Sequence, residues 1–341
     1  MTKKDRVKLI KNLQTARNNT HIITFITNTR PGFEIMMAMD TIRLFYNHLS
    51  KIDSEDATVD LFIHSYGGDG TVPWRLVNLI RENCKTFNVI VPNHAFSAAT
   101  LTALGADTIV MHPMGALGPT DPVVTNEFNP KDPESKQPIG ISVEEVMAYV
   151  DLLKDDVGIR HEDELVIAFN HLADKVHPLA LGNVKRSRSQ SRHIACKLLG
   201  LHMDPKADAH KIDEIVERLT SKSYYHGHPI NRKEAKQELN LNIEFPSQPV
   251  EDLIWKLYLE YEKEMLLSTP FNFMQDFIAA FPALAPNQMQ VLTLPKMKAV
   301  YVESEYFSDV SVVETQVIGT KNPNGFYNCS LATIKDNWER E

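Results

Sequence analysis

Two short segments of this sequence contain the residue types of an acyl-transfer site. Residues 64–70 read His-Ser-Tyr-Gly-Gly-Asp-Gly, and residues 93–100 read Asn-His-Ala-Phe-Ser-Ala-Ala-Thr. The adjacent glycines Gly67 and Gly68 let the backbone turn sharply and offer N–H groups to a ligand, while Ser97 supplies a hydroxyl group. Backbone donors beside a serine predict an oxyanion hole with its nucleophile.

A second donor to the oxyanion would be the N–H group of Ala98, directly after the serine. Such donors stabilise the transition state because negative charge develops on the oxygen that they bind. A plainer interpretation of the same residues makes Gly67 and Gly68 a turn and Ser97 the cap of a helix. Spacing alone leaves both interpretations open.

The regions around these segments predict an α/β fold. Apolar, β-rich runs alternate with helical patterns, which indicates a mostly parallel sheet covered by helices. Each candidate segment directly follows one of these runs, so two strand ends would deliver the donor loop and the hydroxyl to one sheet edge. The predicted strands are 21–27, 59–63, 87–91 and 107–111, and the predicted helices of this region are 4–16, 36–49, 72–83 and 98–104.

The pattern changes beyond residue 111. Prolines and charges at 129–140 indicate a loop that leaves the core, and Ser142 with Glu145 forms a capping box for a helix to about residue 155. Prolines at 246–249 predict a boundary between a domain of residues 1–245 and a C-terminal interface or accessory region, 246–341. Further helices are predicted at 162–176, 178–199, 210–220, 232–239 and 251–267, and strands at 299–302, 311–318 and 326–334.

Composition narrows the class of protein. The chain has 341 residues, of which 43% are hydrophobic, enough for one large core and a smaller one. A net charge of -8 argues against a nucleic-acid partner, since phosphate binding needs a basic surface. Three widely spaced cysteines suit neither a disulfide framework nor a zinc site, so a reducing cytoplasm is expected.

The sequence also predicts no intrinsic membrane span. The first 14 residues are basic but lack the apolar core of a signal peptide. No later stretch approaches the roughly 20 apolar residues of a spanning helix. Contact with a membrane would therefore be peripheral or made through a partner.

The candidate segments resemble the Clp protease and signal peptide peptidase A superfamily, and within it the serine dehydrogenase proteinase family. The resemblance covers roughly residues 20–245, and it implies a Clp/crotonase-like fold of repeated ββα units, peptide-bond hydrolysis and Ser97 as the nucleophile. Alanine, at Ala98, stands where the superfamily often has glycine after the nucleophile. The segments that carry the resemblance are 64–70, 95–100, 107–113, 117–122, 177–183 and 228–241.

The sequence leaves the proton acceptor for Ser97 ambiguous. Clp-type enzymes place a histidine near the position of Thr120 and Asp121, and this chain has none there. Relatives of the signal peptide peptidase type use a lysine further along the chain, which leaves Lys136 and Lys154. A lysine acts as a base only when burial or a neighbouring cation lowers its pKa.

Lys154 is the first candidate because valines precede and follow it on a predicted helix, where we expect partial burial. Lys136 is the second candidate, because the acidic residues around it would raise its pKa instead of lowering it. The flexibility expected of its proline-containing loop keeps it as an alternative. His94 is expected to line the pocket or orient the base, and is a lesser candidate for the base itself. Asp121 is expected to hold its loop through an Asx turn.

Three other features have ordinary interpretations. The pair His226 and His228 lacks a third ligand at zinc-site spacing, so no metal is expected. The basic run at 185–193 is interpreted as a solvated helix face. No phosphate-binding loop motif occurs, and no cofactor is expected.

The sequence thus predicts a cytoplasmic serine endopeptidase that acts on polypeptide, with Ser97 as nucleophile, Lys154 as base and Gly67, Gly68 and Ala98 as the oxyanion hole. One alternative is a catalytically inactive crotonase-fold module for binding or assembly. Another is an acyl-CoA-type crotonase enzyme, which uses the same oxyanion geometry without a nucleophile. A homo-oligomer is expected because relatives of this fold form rings or trimers, and because the helix at 251–267 carries an apolar stripe.

Overall fold

The structure is a computed structural model that describes residues 3–54, 56–120, 122–133, 135–222 and 228–341. The helices are α1 (Lys3–Ala16), α2 (Ile42–Leu49), α3 (Val72–Arg81), α4 (Ala98–Leu104), α5 (Val143–Asp151), α6 (Glu162–Lys175), α7 (Pro178–Leu199), α8 (Ala209–Glu217), α9 (Arg232–Gln237), α10 (Gln248–Met265) and α11 (Phe273–Ala280). The strands are β1 (His21–Thr27), β2 (Thr29–Arg30), β3 (Phe33–Glu34), β4 (Thr58–His64), β5 (Thr86–Val91), β6 (His94–Ala95), β7 (Thr108–Met111), β8 (Ala116–Leu117), β9 (Val123–Val124), β10 (Ile141–Ser142), β11 (Ile230–Asn231), β12 (Ile243–Glu244), β13 (Met289–Thr293), β14 (Met297–Glu303), β15 (Ser308–Lys321) and β16 (Tyr327–Arg340).

Parallel strands form the core of the main sheet. Strands β12, β7, β5, β4 and β1 lie side by side in this order and run parallel. Almost every residue of β1, β4 and β5 is buried, because helices cover both faces of the sheet. The predicted α/β class is therefore confirmed, and the carboxyl ends of β4 and β5 lie at the same edge of the sheet.

C-terminal strands extend the same sheet. Strand β14 pairs antiparallel with β1, with Val302 opposite Phe25, and β15 pairs with β14, β13 and β16. Strand pairing thus continues across the boundary predicted near residue 245. The division into two domains remains a prediction, as does an accessory role for residues 246–341.

The two faces of the sheet have separate apolar cores. Helices α2, α3, α4, α7 and α8 contribute to one core, while α1 and α10 pack on the other face. In α10, Ile254, Leu257 and Tyr261 are fully buried against the sheet. The apolar stripe predicted at 251–267 is therefore used inside the chain, which corrects its proposed role in oligomer formation.

Several element predictions need smaller corrections. The helix predicted at 36–49 begins only at Ile42, after a 3-10 turn at Met39–Thr41. The helix after Ser142 ends at Asp151 and continues as a π-helical turn over Leu152–Asp156. Helix α11 and strand β13 have no counterpart among the predicted elements.

Candidate active site

Backbone pairing places the two candidate segments side by side. The N–H group of Ser65 donates to the carbonyl oxygen of His94 at 2.9 Å, and the N–H group of Phe96 donates to the carbonyl oxygen of Ser65 at 3.0 Å. This bridge joins the residues after β4 to strand β6, which leads directly into Ser97. The expected meeting of the two strand ends therefore occurs in the structure.

Ser97 occupies a sharp turn between β6 and α4. Its φ of 52° and ψ of -115° lie outside the regions that L-residues normally adopt, and such backbone strain costs about 1–3 kcal/mol. Its side chain does not cap α4, and among the described residues no group is hydrogen-bonded to its Oγ. The helix-cap interpretation is therefore wrong, and the geometry is that of a strained turn which exposes a serine hydroxyl.

Gly67 lies directly against this turn. Its φ is +101°, and a methyl group in place of its hydrogen would lie 2.7 Å from Cβ of Ser97 and 3.0 Å from the amide nitrogen of Ala98. Gly68 is equally confined, since a Cβ atom there would lie 2.4 Å from backbone atoms of Met37. Glycine is thus required at both positions for the donor loop to approach the serine.

Hydrogen bonding within the loop decides which donors remain. The N–H group of Gly67 donates to Oγ of Ser65 at 3.0 Å, whereas the N–H groups of Gly68 and Ala98 have no acceptor among the residues that the structure describes. Gly67 therefore contributes its small size rather than its N–H group, which corrects the predicted set of three donors. Gly68 and Ala98 remain as the candidate pair.

A cavity of about 570 Å³ opens beside these groups. Its walls come from the donor loop, the start of α4, the segment at 34–36, the loop before β9, and helix α7. The lining residues are Glu34, Ile35, Met36, Tyr66, Gly67, Gly68, Asp69, Gly70, Thr71, Ser97, Ala98, Leu101, Thr120, Pro122, Val123, Ser187, Gln190, Ser191 and Ile194.

Helix α7 supplies a polar wall that the sequence did not indicate. The basic run at 185–193 lies on α7, and its Ser187 and Gln190 line the cavity. Ser191 is buried and donates from Oγ to the carbonyl oxygen of Thr120 at 2.7 Å. Ser187, Gln190 and Ser191 therefore line the cavity, while Lys185 and Arg186 are exposed, so the interpretation as a solvated helix face holds for only part of the run.

Neither candidate lysine lines the cavity. Lys154 is exposed on the π-helical turn, and its neighbour Val157 is 61% exposed. Lys136 is exposed too, and its Nζ donates to the carbonyl oxygen of Pro133 at 2.6 Å. The predicted partial burial of Lys154 is wrong, because α5 and the following turn cover too little of it.

His94 lies in an aromatic cluster rather than at the cavity wall. Its ring centroid is 5.7 Å from that of His64, 5.5 Å from that of Tyr66 and 4.9 Å from that of Phe96. Burial lowers the pKa of His94, so its imidazole is neutral at pH 7. Because it is absent from the lining residues, the expectation that it lines the pocket is not met.

Two further expectations involve residues outside the described ranges. Asp121, expected in an Asx turn, is one of them, and so is His226 of the histidine pair. Within the described ranges, Glu34, Tyr66 and Asp69 are the titratable residues of the cavity. Burial and the nearby Glu34 raise the pKa of Tyr66, which keeps its phenol protonated at neutral pH.

Sequence reasoning missed the buried residues that support the loop. His64 is buried, and its Nδ1 accepts from the N–H group of His94 at 3.2 Å. Its Nε2 therefore carries the proton and donates to Oγ1 of Thr29 at 3.0 Å. Burial, with the charge of His94 adding to it, lowers the pKa of His64 to about 3. The available signal was two polar residues, His64 and Ser65, directly after the apolar residues Leu61–Ile63.

Comparison with known proteins shows which family the N-terminal part of this chain is similar to. Residues 1–157 match a family of serine hydrolases. The family model that they match is described as ClpP-like SDH-type serine proteinase. The match ends before two of the segments on which the resemblance was based, 177–183 and 228–241. The matched range contains Ser97, Gly67, Gly68 and both candidate lysines. The Clp-like fold class of the family agrees with the parallel core of the sheet.

Similar proteins are known from several sources. An uncharacterized protein of Methanocaldococcus jannaschii is 26% identical over 246 residues, which are 70% of this chain and 73% of the relative. A second uncharacterized protein of that organism is 26% identical over 196 residues, 57% of this chain and 56% of its own length. The structure of ClpP1 from Listeria monocytogenes has 12% sequence identity and a TM-score of 0.34, over 70% of this chain and 97% of ClpP1.

In the ranges that the structure describes, no helix combines the length and apolar character that crossing a membrane requires.

Proposed function

We propose that this chain is a serine endopeptidase in which Ser97 is the nucleophile. Oγ of Ser97 attacks the carbonyl carbon of the scissile peptide bond while a base accepts its proton. The carbonyl oxygen becomes an oxyanion that accepts hydrogen bonds from the N–H groups of Gly68 and Ala98. The intermediate then collapses, the proton passes to the departing amine, and an ester on Ser97 remains for water to hydrolyse.

The conformation of Ser97 is the observation that carries this proposal. A serine that only capped α4 would have an extended backbone and a hydroxyl bonded to the helix. Ser97 instead has a φ of 52° and no side-chain cap bond, and it faces a cavity that Gly68 and Ala98 also line. The strain is explained if the turn serves to present the hydroxyl.

A lysine remains our proposed proton acceptor, with Lys154 first and Lys136 second. Both follow Val123, where the chain leaves the cavity wall. Strand β9 pairs with β10, so Lys136 lies in the loop of this hairpin and Lys154 follows it on the π-helical turn. Since neither lysine lines the cavity, we propose that this segment moves toward the cavity to bring one of them to Ser97.

A serine-directed fluorophosphonate tests the nucleophile. Ser97→Ala should abolish both labelling and hydrolysis of an unfolded polypeptide, whereas Ser187→Ala, which removes another serine of the same cavity, should keep both. Full activity of Ser97→Ala would refute the proposal. A folded wild-type protein without labelling or hydrolysis would favour the non-catalytic module, and turnover of acyl-CoA alone would favour the crotonase-type enzyme.

We also propose a cytoplasmic homo-oligomer, and α6 as its contact. Only Ala168 is buried among the residues of α6, while Val166, Ile167 and Phe169 are each more than half exposed. The helix has three acidic residues in its first turn and Lys175 in its last. Two copies of α6 packed antiparallel would bring Lys175 of each copy toward the acidic first turn of the other and cover the apolar side chains.

A further inference from the structure

Ser65 lies where the donor half and the nucleophile half of the site meet. Its backbone forms the bridge to His94 and Phe96, which leads to Ser97. Its side chain binds the donor loop, because Oγ accepts a hydrogen bond from the N–H group of Gly67 at 3.0 Å. One residue therefore ties the loop that holds Gly68 to the strand that leads to the serine.

Thr27 completes this arrangement from the neighbouring strand. Its Oγ1 donates to Oγ of Ser65 at 2.8 Å, and both residues are fully buried. Oγ of Ser65 thus accepts two hydrogen bonds, from Thr27 and from Gly67. A buried hydroxyl is costly unless it is bonded, so the pair is stable only with this specific set of partners.

The glycine pair explains why such an anchor is needed. Without side chains, Gly67 and Gly68 allow the backbone many orientations. Two backbone hydrogen bonds to Met37 also hold the loop. The N–H group of Met37 donates to the carbonyl oxygen of Gly67 at 2.8 Å, and the N–H group of Asp69 donates to the carbonyl oxygen of Met37 at 2.9 Å. The bond to Ser65 holds Gly67 from the side of the nucleophile.

We propose that Ser65, supported by Thr27, is a positioning residue that aligns the N–H group of Gly68 with that of Ala98 toward the oxyanion. The proposal rests on the proposed function, because it assigns a role in transition-state stabilisation. Ser65 does not touch the reacting atoms and acts through Gly67. Loss of the anchor should reduce binding of the transition state more than binding of the substrate.

Two substitutions test this role at different points. Thr27→Val removes the supporting hydroxyl while keeping a β-branched shape, and Ser65→Ala removes the anchor itself. A misplaced oxyanion donor costs about 10-fold to 100-fold in rate. We expect kcat for a chromogenic peptide to fall by that factor with KM nearly unchanged, and inhibition by a peptide aldehyde to weaken in parallel.

Two further variants separate positioning from stability. Thr24→Val removes a buried hydroxyl from the same strand, where Oγ1 is 2.8 Å from the phenol oxygen of Tyr261; it should lower the melting temperature and leave kcat unchanged. Thr27→Ser keeps the hydroxyl and should recover most of kcat. If Ser65→Ala fails to fold, Thr27→Val still tests the proposal.

The outcomes distinguish this proposal from the proposed function. If Ser97→Ala abolishes hydrolysis but folded Thr27→Val and Ser65→Ala keep the kcat of wild type, the positioning role is overturned and the peptidase stands. If kcat falls in Thr24→Val as much as in Thr27→Val, the effect is general destabilisation, which also overturns it. Hydrolysis that persists in Ser97→Ala would instead refute the peptidase itself.

Discussion

The two halves of the candidate site are held in very different ways. The buried Ser65 is joined to His94 and Phe96 by strand pairing and to Gly67 by a hydrogen bond of 3.0 Å, at the edge of the sheet. The segment after Val123, which carries both candidate lysines, has Val157 61% exposed and only one buried residue in α6. The donors and nucleophile are therefore preorganised, whereas the proposed base lies on a part of the chain with little packing to hold it.

This contrast has a physical basis. Donors to an oxyanion are effective because they need no reorganisation when charge develops, so a rigid sheet edge suits them. A base on a loosely packed segment would instead be delivered by closure or by assembly. The comparison can be tested by changing each half separately.

The largest effect should come from the proposed base. Replacing the lysine that accepts the proton of Ser97 by methionine should lower kcat by about 10²–10⁴-fold, because general-base catalysis is lost. Lys154→Met and Lys136→Met should be assayed beside Lys131→Met, which changes a lysine of the same hairpin loop. Equal activity in all three would exclude a lysine of this segment as the base.

Gly67→Ala should have the next largest effect. The added methyl group would lie 2.7 Å from Cβ of Ser97 at a φ of +101°, so the donor loop must move away from the nucleophile. We expect kcat to fall about 10²-fold, as for misplaced catalytic groups. Gly70→Ala is the control, since no atom lies within 4 Å of the added carbon. Similar kinetics in the two variants would contradict close packing at Gly67.

Lowering the pH should reduce the free energy of unfolding, because His64 is buried beside the strand ends that carry the candidate site. Burial lowers the pKa of His64 to about 3, so between the ordinary value and this one the unfolded chain binds a proton that the folded chain does not. The contribution of neutral His64 to the free energy of unfolding is complete above pH 6.5 and is lost as the pH falls toward 3. The loss between pH 7 and pH 5 is about 2 kcal/mol. Denaturant unfolding should show this loss reduced in His64→Gln; an unchanged pH dependence would contradict it.

The smallest effect concerns self-association through α6. Replacing Val166 and Phe169 by serine should raise the dissociation constant of an oligomer by about 10-fold, because exposed apolar contacts are lost. Leu259→Ser on α10, where the side chain is 39% exposed, should leave it unchanged. Light scattering at micromolar concentration provides the measurement, and a monomeric wild-type protein would contradict both oligomer formation and this contact.

Local patterns in the sequence predicted much of the fold. The strand at His21–Thr27 and the helices at Ala98–Leu104 and Pro178–Leu199 were predicted with their observed limits, because apolar runs, helical periodicity and an N-terminal proline are local signals. The same signals could not show where an apolar face would be used. The stripe on α10 is buried on the sheet, while that of α6 is exposed.

The sequence by itself determined the residue types of the site, a glycine pair and a serine placed after successive strands, and the α/β class of the fold. Only the tertiary structure decided that Ser97 has a φ of 52°, that the N–H group of Gly67 is bound by Ser65, and that both lysines lie outside the cavity. These features depend on contacts between strands and loops distant in sequence, as between Thr27 and Ser65. Such contacts set backbone strain, burial and hydrogen-bond partners, which residue order alone does not specify.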